Sequence, residues 1–192
     1  MDINLFSNHK DIYGCFHYQR FASILAPCCN KFYPCRWCHD NNENHEINRF
    51  DIKKMKCLLC NKEQNISSYC INCNNIMAKY FCSTCNILDN YGIRKQIFHC
   101  NKCGICRIGG KENFHHCDKC NGCIHISLKD KHKCIQNTMK QDCSICLDDM
   151  FNSRNGVIIL KCGHSFHKKC INNSIMCRNY FCPLCRQKIE YS

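Results

Sequence analysis

The sequence has 192 residues, 25 of them cysteine and 11 histidine, with 27 Lys and Arg against 15 Asp and Glu. The hydrophobic fraction of 45% counts cysteine; without it roughly a third of the chain is left for a core, which points to small units stapled by disulfides or metal. A secreted disulfide scaffold is not expected, given the odd cysteine number and Met1 to Tyr18, where Asp2, His9, Lys10 and Asp11 interrupt any apolar h-region, nor is a membrane span, the longest apolar run being Val157-Ile158-Ile159-Leu160.

C-x2-C pairs then punctuate nearly the whole chain: Cys35/Cys38, Cys57/Cys60, Cys70/Cys73, Cys82/Cys85, Cys100/Cys103, Cys103/Cys106, Cys117/Cys120, Cys120/Cys123, Cys143/Cys146 and Cys182/Cys185. A two-residue gap lets two sulfurs converge on one ion in a tight turn, and two pairs complete a tetrahedral site. Thioredoxin-like redox motifs share the spacing but need a βαβ context that is absent here. Regular secondary structure is expected to be sparse. A strand is predicted at Val157 to Leu160 and a short helix just after Cys170, with knuckles and irregular loops elsewhere. The Asn-rich background is taken as compositional bias.

After a polar tail over 1–12, the first segment, 13–77, opens with Cys15-Phe16-His17-Tyr18 and continues through Cys28-Cys29, Cys35-x2-Cys38-His39, His45 and the pairs Cys57/Cys60 and Cys70/Cys73. It resembles the CHY-type zinc finger. The resemblance implies twelve ligands, Cys15, His17, Cys28, Cys29, Cys35, Cys38, His39, His45, Cys57, Cys60, Cys70 and Cys73, and so three zincs. Which of them share an ion stays open, since interleaved and sequential pairings both satisfy the count.

The second segment, 78–136, carries an internal repeat. His99-Cys100-Asn101-Lys102-Cys103-Gly104-Ile105-Cys106 recurs as His116-Cys117-Asp118-Lys119-Cys120-Asn121-Gly122-Cys123. A short repeat with four potential ligands suggests a solenoid-like stack in which each zinc joins neighbouring repeats. The segment resembles the cysteine- and histidine-rich CTCHY module that follows CHY fingers in one family of ubiquitin ligases. Its candidates are Cys82, Cys85, His99, Cys100, Cys103, Cys106, His116, Cys117, Cys120, Cys123, His132 and Cys134, again enough for three zincs. The repeat favours His116 over His115.

Beyond a linker at 137–142, residues 143–186 read C-x2-C-x15-C-x-H-x2-H-x2-C-x11-C-x2-C, and 187–192 form a tail. This resembles a RING finger of the two-histidine variant. The family implies a cross-brace, with Cys143, Cys146, His167 and Cys170 on one zinc and Cys162, His164, Cys182 and Cys185 on the other. Both sites would be closed, so the metal is structural. By the same resemblance the RING docks a ubiquitin-conjugating enzyme through Ile145 and Pro183, with Arg186 at the linchpin position that meets ubiquitin as well. Many such RINGs carry a tryptophan four residues after the sixth ligand, where this chain has Ser174, with Ile175 next.

The order of CHY finger, repeat module and RING resembles that of the RING finger and CHY zinc finger domain-containing E3 ubiquitin ligases over about Tyr13 to Lys188. The expected fold is thus a chain of small zinc-stapled domains, of α+β class in the cross-brace RING. The expected activity is ubiquitin transfer to a substrate lysine from a charged conjugating enzyme, without a covalent ligase intermediate. Ubiquitin, the conjugating enzyme and a protein substrate are the expected partners, zinc at about eight per chain the cofactor, and the cytoplasm or nucleus the location. Only seven residues follow Cys185, too few for the further zinc ribbon of many relatives, so substrate holding is expected of the N-terminal modules. The alternative is a non-catalytic interaction scaffold.

Eight zincs bound by 24 thiolates cut the formal charge of +12 to about +4, so the basic balance is no nucleic-acid footprint. The chain also lacks a C2H2 spacing with a recognition helix. Cys177, His9, His115 and His125 are left without a role, Cys177 being expected as a packed thiol. Phe16, Tyr18, Tyr69, Tyr80, Phe81, Phe98 and Phe114 are expected to pack around the metals, and Lys53, Lys54, Lys56, Lys129, Lys131 and Lys133 to form a solvated face.

Overall fold

The computed structural model describes residues 13–153 and 155–190; His9 and the 1–12 tail lie outside them. Sulfurs close together in sequence shape the architecture, because each C-x2-C knuckle must turn the chain back on itself, and a chain turned back pairs with itself as a short hairpin. Among the described residues, twelve short strands, two α-helices and three 3-10 turns are the outcome. No helix among the described residues is long and apolar enough to cross a membrane.

Two compact units divide the chain. The first is Met1–His99 with Gly104–Gly109, and the second Cys100–Cys103 with Gly110–Ser192. In the first, strands β1 (Ala22–Ala26), β2 (Lys31–Tyr33), β3 (Lys54–Cys57) and β4 (Glu63–Asn65) form a four-stranded antiparallel sheet in the order β2-β1-β3-β4. Its register sets Ala22 opposite Cys57 and Ile24 opposite Met55. The small side chains of the inner strand let neighbours close in: Ala22 packs with Met55, Cys57, Cys70, Met77, Ala78 and Leu88, and Ile24 and Ala26 with Ile47 and Ile52. Helix α1 (Arg36–Asp40) is one turn, started by the Cys35 sulfur, which accepts the Cys38 N–H. β5 (Tyr80–Cys82) and β6 (Ile87–Asp89) make the next hairpin. Its Asp89 is buried, accepting from the Tyr91 N–H and from Lys95 at 2.6 Å. β7 (Phe98–Cys100) and β8 (Ile105–Arg107) pair in turn.

The second unit holds the hairpin of β9 (Phe114–Cys117) and β10 (Gly122–His125), and a RING built on β11 (Val157–Ile159), β12 (Ser165–His167) and α2 (Lys168–Met176). The predicted strand and helix are both present. The RING core gathers Met150, Leu160, Phe166 and Ile171 around Cys143, Cys162 and Cys182, so these three ligands stand inside the apolar cluster.

Of residues 137–142, expected as a linker, Thr138 and Met139 are buried and the other four exposed. Met139 is buried with Cys117, Cys120, Ile124 and Ile159. Thr138 is buried and its hydroxyl meets that of Ser165 at 2.9 Å, while Ser165 bonds the Thr138 carbonyl. Two glycines permit this approach: a Cβ on Gly122 would stand 2.6 Å from Met139 Cβ, and one on Gly163, at φ +91°, 2.7 Å from the Lys133 carbonyl.

The asparagines do structural work that their treatment as compositional bias missed. Seven knuckles end in a left-handed residue directly after the second cysteine: Asn61, Asn74, Asn86, Gly104, Asn121, Leu147 and Arg186, with φ between 53° and 69°. At Asn61, Asn74, Leu147 and Arg186 that residue's N–H closes the turn on the first cysteine's carbonyl, as in Asn61 to Cys57 at 3.0 Å and Leu147 to Cys143 at 2.7 Å. Asn and Gly tolerate this backbone, whereas Leu and Arg incur strain of about 1 kcal/mol or more.

Candidate metal centres

Hairpins with knuckles at their ends gather ligands into tetrads. Four such sets, each with one ligand atom per residue and all within 4.8 Å of one another, are Cys15/His17/Cys35/Cys38, Cys28/Cys29/His39/His45, Cys57/Cys60/Cys70/Cys73 and Cys82/Cys85/His99/Cys106; Cys100/Cys103/His116/Cys123 is a fifth, and three more exist. Cys117 Sγ lies 3.7 Å from Cys134 Sγ, and His132 Nε2 lies 3.4 Å from Cys120 and 3.0 Å from Cys134. In the RING, His167 Nδ1 is 3.3 Å from Cys146, which with Cys143 adjoins Cys170. His164 Nδ1 is 3.5 Å from Cys162 and 3.6 Å from Cys182, and Cys185 adjoins both sulfurs.

The pairing left open by the sequence is thereby visible. The first two tetrads interleave, since 28 and 29 fall between 17 and 35, while the third is sequential. Cys100 and Cys103 of one repeat meet His116 and Cys123 of the next, and His116, not His115, reaches the sulfurs. The RING contacts alternate as a cross-brace requires.

Zinc fits these sets on three observations. All the cysteines are free. Sulfurs facing each other stand 3.5–3.8 Å apart, as in Cys60/Cys70 and Cys57/Cys73, far beyond a disulfide but close to the edge, about 3.8 Å, of a tetrahedron with metal–sulfur bonds of about 2.3 Å. Sulfur–imidazole distances such as Cys35/His17 at 3.5 Å and Cys82/His99 at 3.6 Å match the mixed edge. Finally, His45 Nε2 is buried with no protein partner while its Nδ1 meets Asn44. His39 completes that set, Nε2 at 3.2 Å from Cys28 and Nδ1 at 2.8 Å from Asp40, the carboxylate that orients a ligating imidazole.

Electrostatics favours the same cation. A hydrogen bond from Cys35 holds Cys15 down to about 4, and the same bond together with burial pushes Cys35 far up, so the set cannot ionise together unaided. A dication resolves the conflict, because it binds thiolates and not thiols. These are multiple closed Cys/His zinc sites, with no ligand position left for reactive water.

Function therefore falls to the surface. Ile145 is 38% exposed, Pro183 half-buried and Arg186 exposed at the closing turn of its knuckle. Three further exposed apolar residues went unremarked in the sequence: Leu147 and Leu184, on the two RING knuckles, and Met176, 81% exposed at the end of α2. At the expected tryptophan position Ser174 is half-buried, and Ile175 packs into the RING core. Their exposure is invisible in one-dimensional spacing.

Three smaller expectations are corrected. Cys177 is exposed at the C-cap of α2 rather than packed, because the helix ends there. Phe16 and Tyr69 are exposed, Phe16 lying on the His17 ring at 3.8 Å instead of filling a core. Tyr80 and Phe81 do pack inward, the Tyr80 hydroxyl at 3.4 Å from Cys106 Sγ.

The chain matches the CHY zinc finger family over residues 15–80 and the Ring finger domain family over residues 141–186. It is 44% identical over 179 residues to the E3 ubiquitin-protein ligase SRFP1 of Oryza sativa subsp. japonica, covering 92% of this chain and 68% of that protein. It is 38% identical over 195 residues to the E3 ubiquitin-protein ligase RZFP34 of Arabidopsis thaliana, covering 97% and 67%. An uncharacterized RING finger protein of Schizosaccharomyces pombe is 38% identical over 186 residues, covering 96% of this chain and 43% of its own length. The chain thus spans about two thirds of the length of the two plant proteins.

Proposed function

The chain belongs to the family of E3 ubiquitin ligases that join a CHY zinc finger to a RING-H2 finger, and from that membership we propose that its RING orients a ubiquitin-charged conjugating enzyme while its N-terminal zinc modules hold the substrate. Ile145 and Pro183 form the docking contacts, widened by Leu147, Leu184 and Met176, and Met176 supplies apolar area where Ser174 supplies none. Arg186 bridges to ubiquitin. The observation that carries this reading is the set of exposed apolar side chains, Ile145, Leu147 and Leu184, on the two RING knuckles beside a core closed around buried Cys143, Cys162 and Cys182.

The zincs, about eight per chain, are held by the 24 cysteines and eight histidines predicted above, and their chemistry is to stiffen the loops. Cys143, Cys146, His167 and Cys170 fix the first knuckle, and Cys162, His164, Cys182 and Cys185 the second. Rate enhancement then comes from restricting the thioester to a reactive pose and from charge placed by Arg186, with the substrate lysine attacking the thioester carbonyl directly.

Incubation with ubiquitin, activating enzyme and a panel of conjugating enzymes tests the reading. Self-conjugation is expected, and Ile145→Ala is expected to abolish it with zinc content unchanged. No conjugation with any enzyme of the panel, and no resonance shifts at Ile145 or Pro183 on titrating those enzymes, would leave the scaffold alternative.

A further inference from the structure

The hairpin of the RING faces two different cores. Its register sets Ile158 opposite Phe166 and Ile159 opposite Ser165, and the alternation of side chains along a strand sends these two pairs to opposite sides. Ile158 and Phe166 pack into the RING core. Ile159 packs instead with Met139 and with Cys117, Cys120 and Ile124 of the repeat module. Ser165, on that same side, is buried and bonds both the hydroxyl and the carbonyl of Thr138. A RING folding by itself would leave Ile159 and Ser165 in water. A buried pair of hydroxyls also fixes geometry, since a hydroxyl left unpaired there is costly.

The strip carrying Thr138 is fastened on both sides. On the module side the Asn137 N–H bonds the Lys119 carbonyl at 2.8 Å and the Met139 N–H bonds the Cys120 carbonyl at 3.0 Å, so the strip runs along the knuckle of the Cys117, Cys120, His132 and Cys134 group. On the RING side the Thr138 hydroxyl lies 3.4 Å from the Gly163 carbonyl, and Gly163 sits so close to the Lys133 carbonyl and the Ile135 side chain that a Cβ would not fit. Gly163 stands between Cys162 and His164, and Ser165 follows them. The strip therefore grips the loop that carries half of the second RING tetrad. Cys182 and Cys185, the other half, bracket Pro183 and Leu184 and precede Arg186. Groups that hold ligands in place set the geometry of everything the ligands carry.

We propose that Thr138, Gly163 and Ser165 are positioning residues for ubiquitin transfer: they tie the second RING loop to the last zinc turn of the repeat module, and so hold Pro183 and Arg186 in register with Ile145 for the conjugating enzyme. This assignment rests on the reading that those three residues meet that enzyme. It makes the ligand group at Cys117, Cys120, His132 and Cys134 part of the docking apparatus, although it lies outside the RING.

Discharge of a ubiquitin-charged conjugating enzyme by the full zinc-loaded chain is followed against the concentration of that enzyme, for the parent, Thr138→Val, Thr138→Ser and Cys134→Ser. The half-saturating concentration should rise about threefold or more in Thr138→Val and return to the parent's in Thr138→Ser, which restores the hydroxyl. It should rise further in Cys134→Ser, whose metal content should fall by about one zinc per chain; where that variant fails to fold, the Thr138 pair carries the test. Hydrogen exchange gives a readout apart from activity. Peptides over 161–167 and 180–187 should lose protection in Thr138→Val, and peptides over 143–150 and over β3 should keep it. A fold merely weakened lowers the maximal rate and leaves half-saturation in place. An unchanged half-saturation in Thr138→Val, a shift that Thr138→Ser shares, or protection lost evenly across the RING would overturn the proposal. A parent that discharges no enzyme of the panel defeats the docking reading and this one with it, whereas an active parent beside an unchanged Thr138→Val defeats the seam alone.

Discussion

Replacing Leu147 by Asn should make the RING more stable while making it a poorer ligase. Leu147 closes the first RING knuckle at φ 63°, and its side chain is 76% exposed, so truncation forfeits little burial. The left-handed backbone costs a non-glycine residue about 1–2 kcal/mol, much of which Asn recovers through its short polar side chain. A gain of about 1 kcal/mol follows, or about fivefold in amide protection where exchange proceeds by opening of the RING. Arg186, at φ 60° on the second knuckle, predicts the same for Arg186→Asn. Asn74→Leu, at φ 57° on an exposed knuckle of the first unit, should lose about as much in β3 and β4. Hydrogen exchange read by mass spectrometry on peptides covering β12 and β3 measures all three, and discharge of a charged conjugating enzyme measures function, expected to fall in both RING variants. Protection within twofold of the parent in all three, or a loss in both RING variants, would refute the argument that these knuckles sacrifice stability for docking.

Further outcomes follow from the same structure. Metal analysis of purified protein should give about eight zincs per chain, and chelation should unfold both units, since each structural site is worth on the order of 10 kcal/mol; four or fewer zincs would sink the ligand assignment. Gly163→Ala sets a Cβ against the Lys133 carbonyl at a left-handed position, so it should destabilise the second unit by more than about 2 kcal/mol in urea titration, and near-neutrality would show the contact to be loose. Thr138→Val keeps the shape but strips the buried hydroxyl facing Ser165, with an expected cost of about 1–2 kcal/mol and a smaller effect on conjugation than Ile145→Ala. Asp89→Ala removes a buried carboxylate that meets Lys95 and the Tyr91 N–H, so the β5–β6 hairpin should lose protection by about 2 kcal/mol or more while the RING peptides stay unchanged.

Metal dependence, the knuckles, the repeat and the RING were legible in the sequence because their information is local. C-x2-C defines one tight turn whatever surrounds it, and the RING spacing names its eight ligands outright. Which ligands meet was not local. Cys28 and Cys29 could have joined Cys15 and His17 by count, and the sheet register that sets Ala22 against Cys57 arises from packing of small residues far apart in sequence. The buried seam at Thr138 and Met139 was likewise hidden, since a linker and a packed strip of polar and apolar residues look alike until both neighbours are in place. So were the exposed Cys177, Leu147, Leu184 and Met176, because exposure is a property of the surface and not of spacing. Even the asparagines show the division: their abundance is visible in one dimension, but only the folded backbone, with φ positive after seven of the knuckles, explains why Asn serves at four of these turns while Leu147 and Arg186 stand strained at the two RING knuckles.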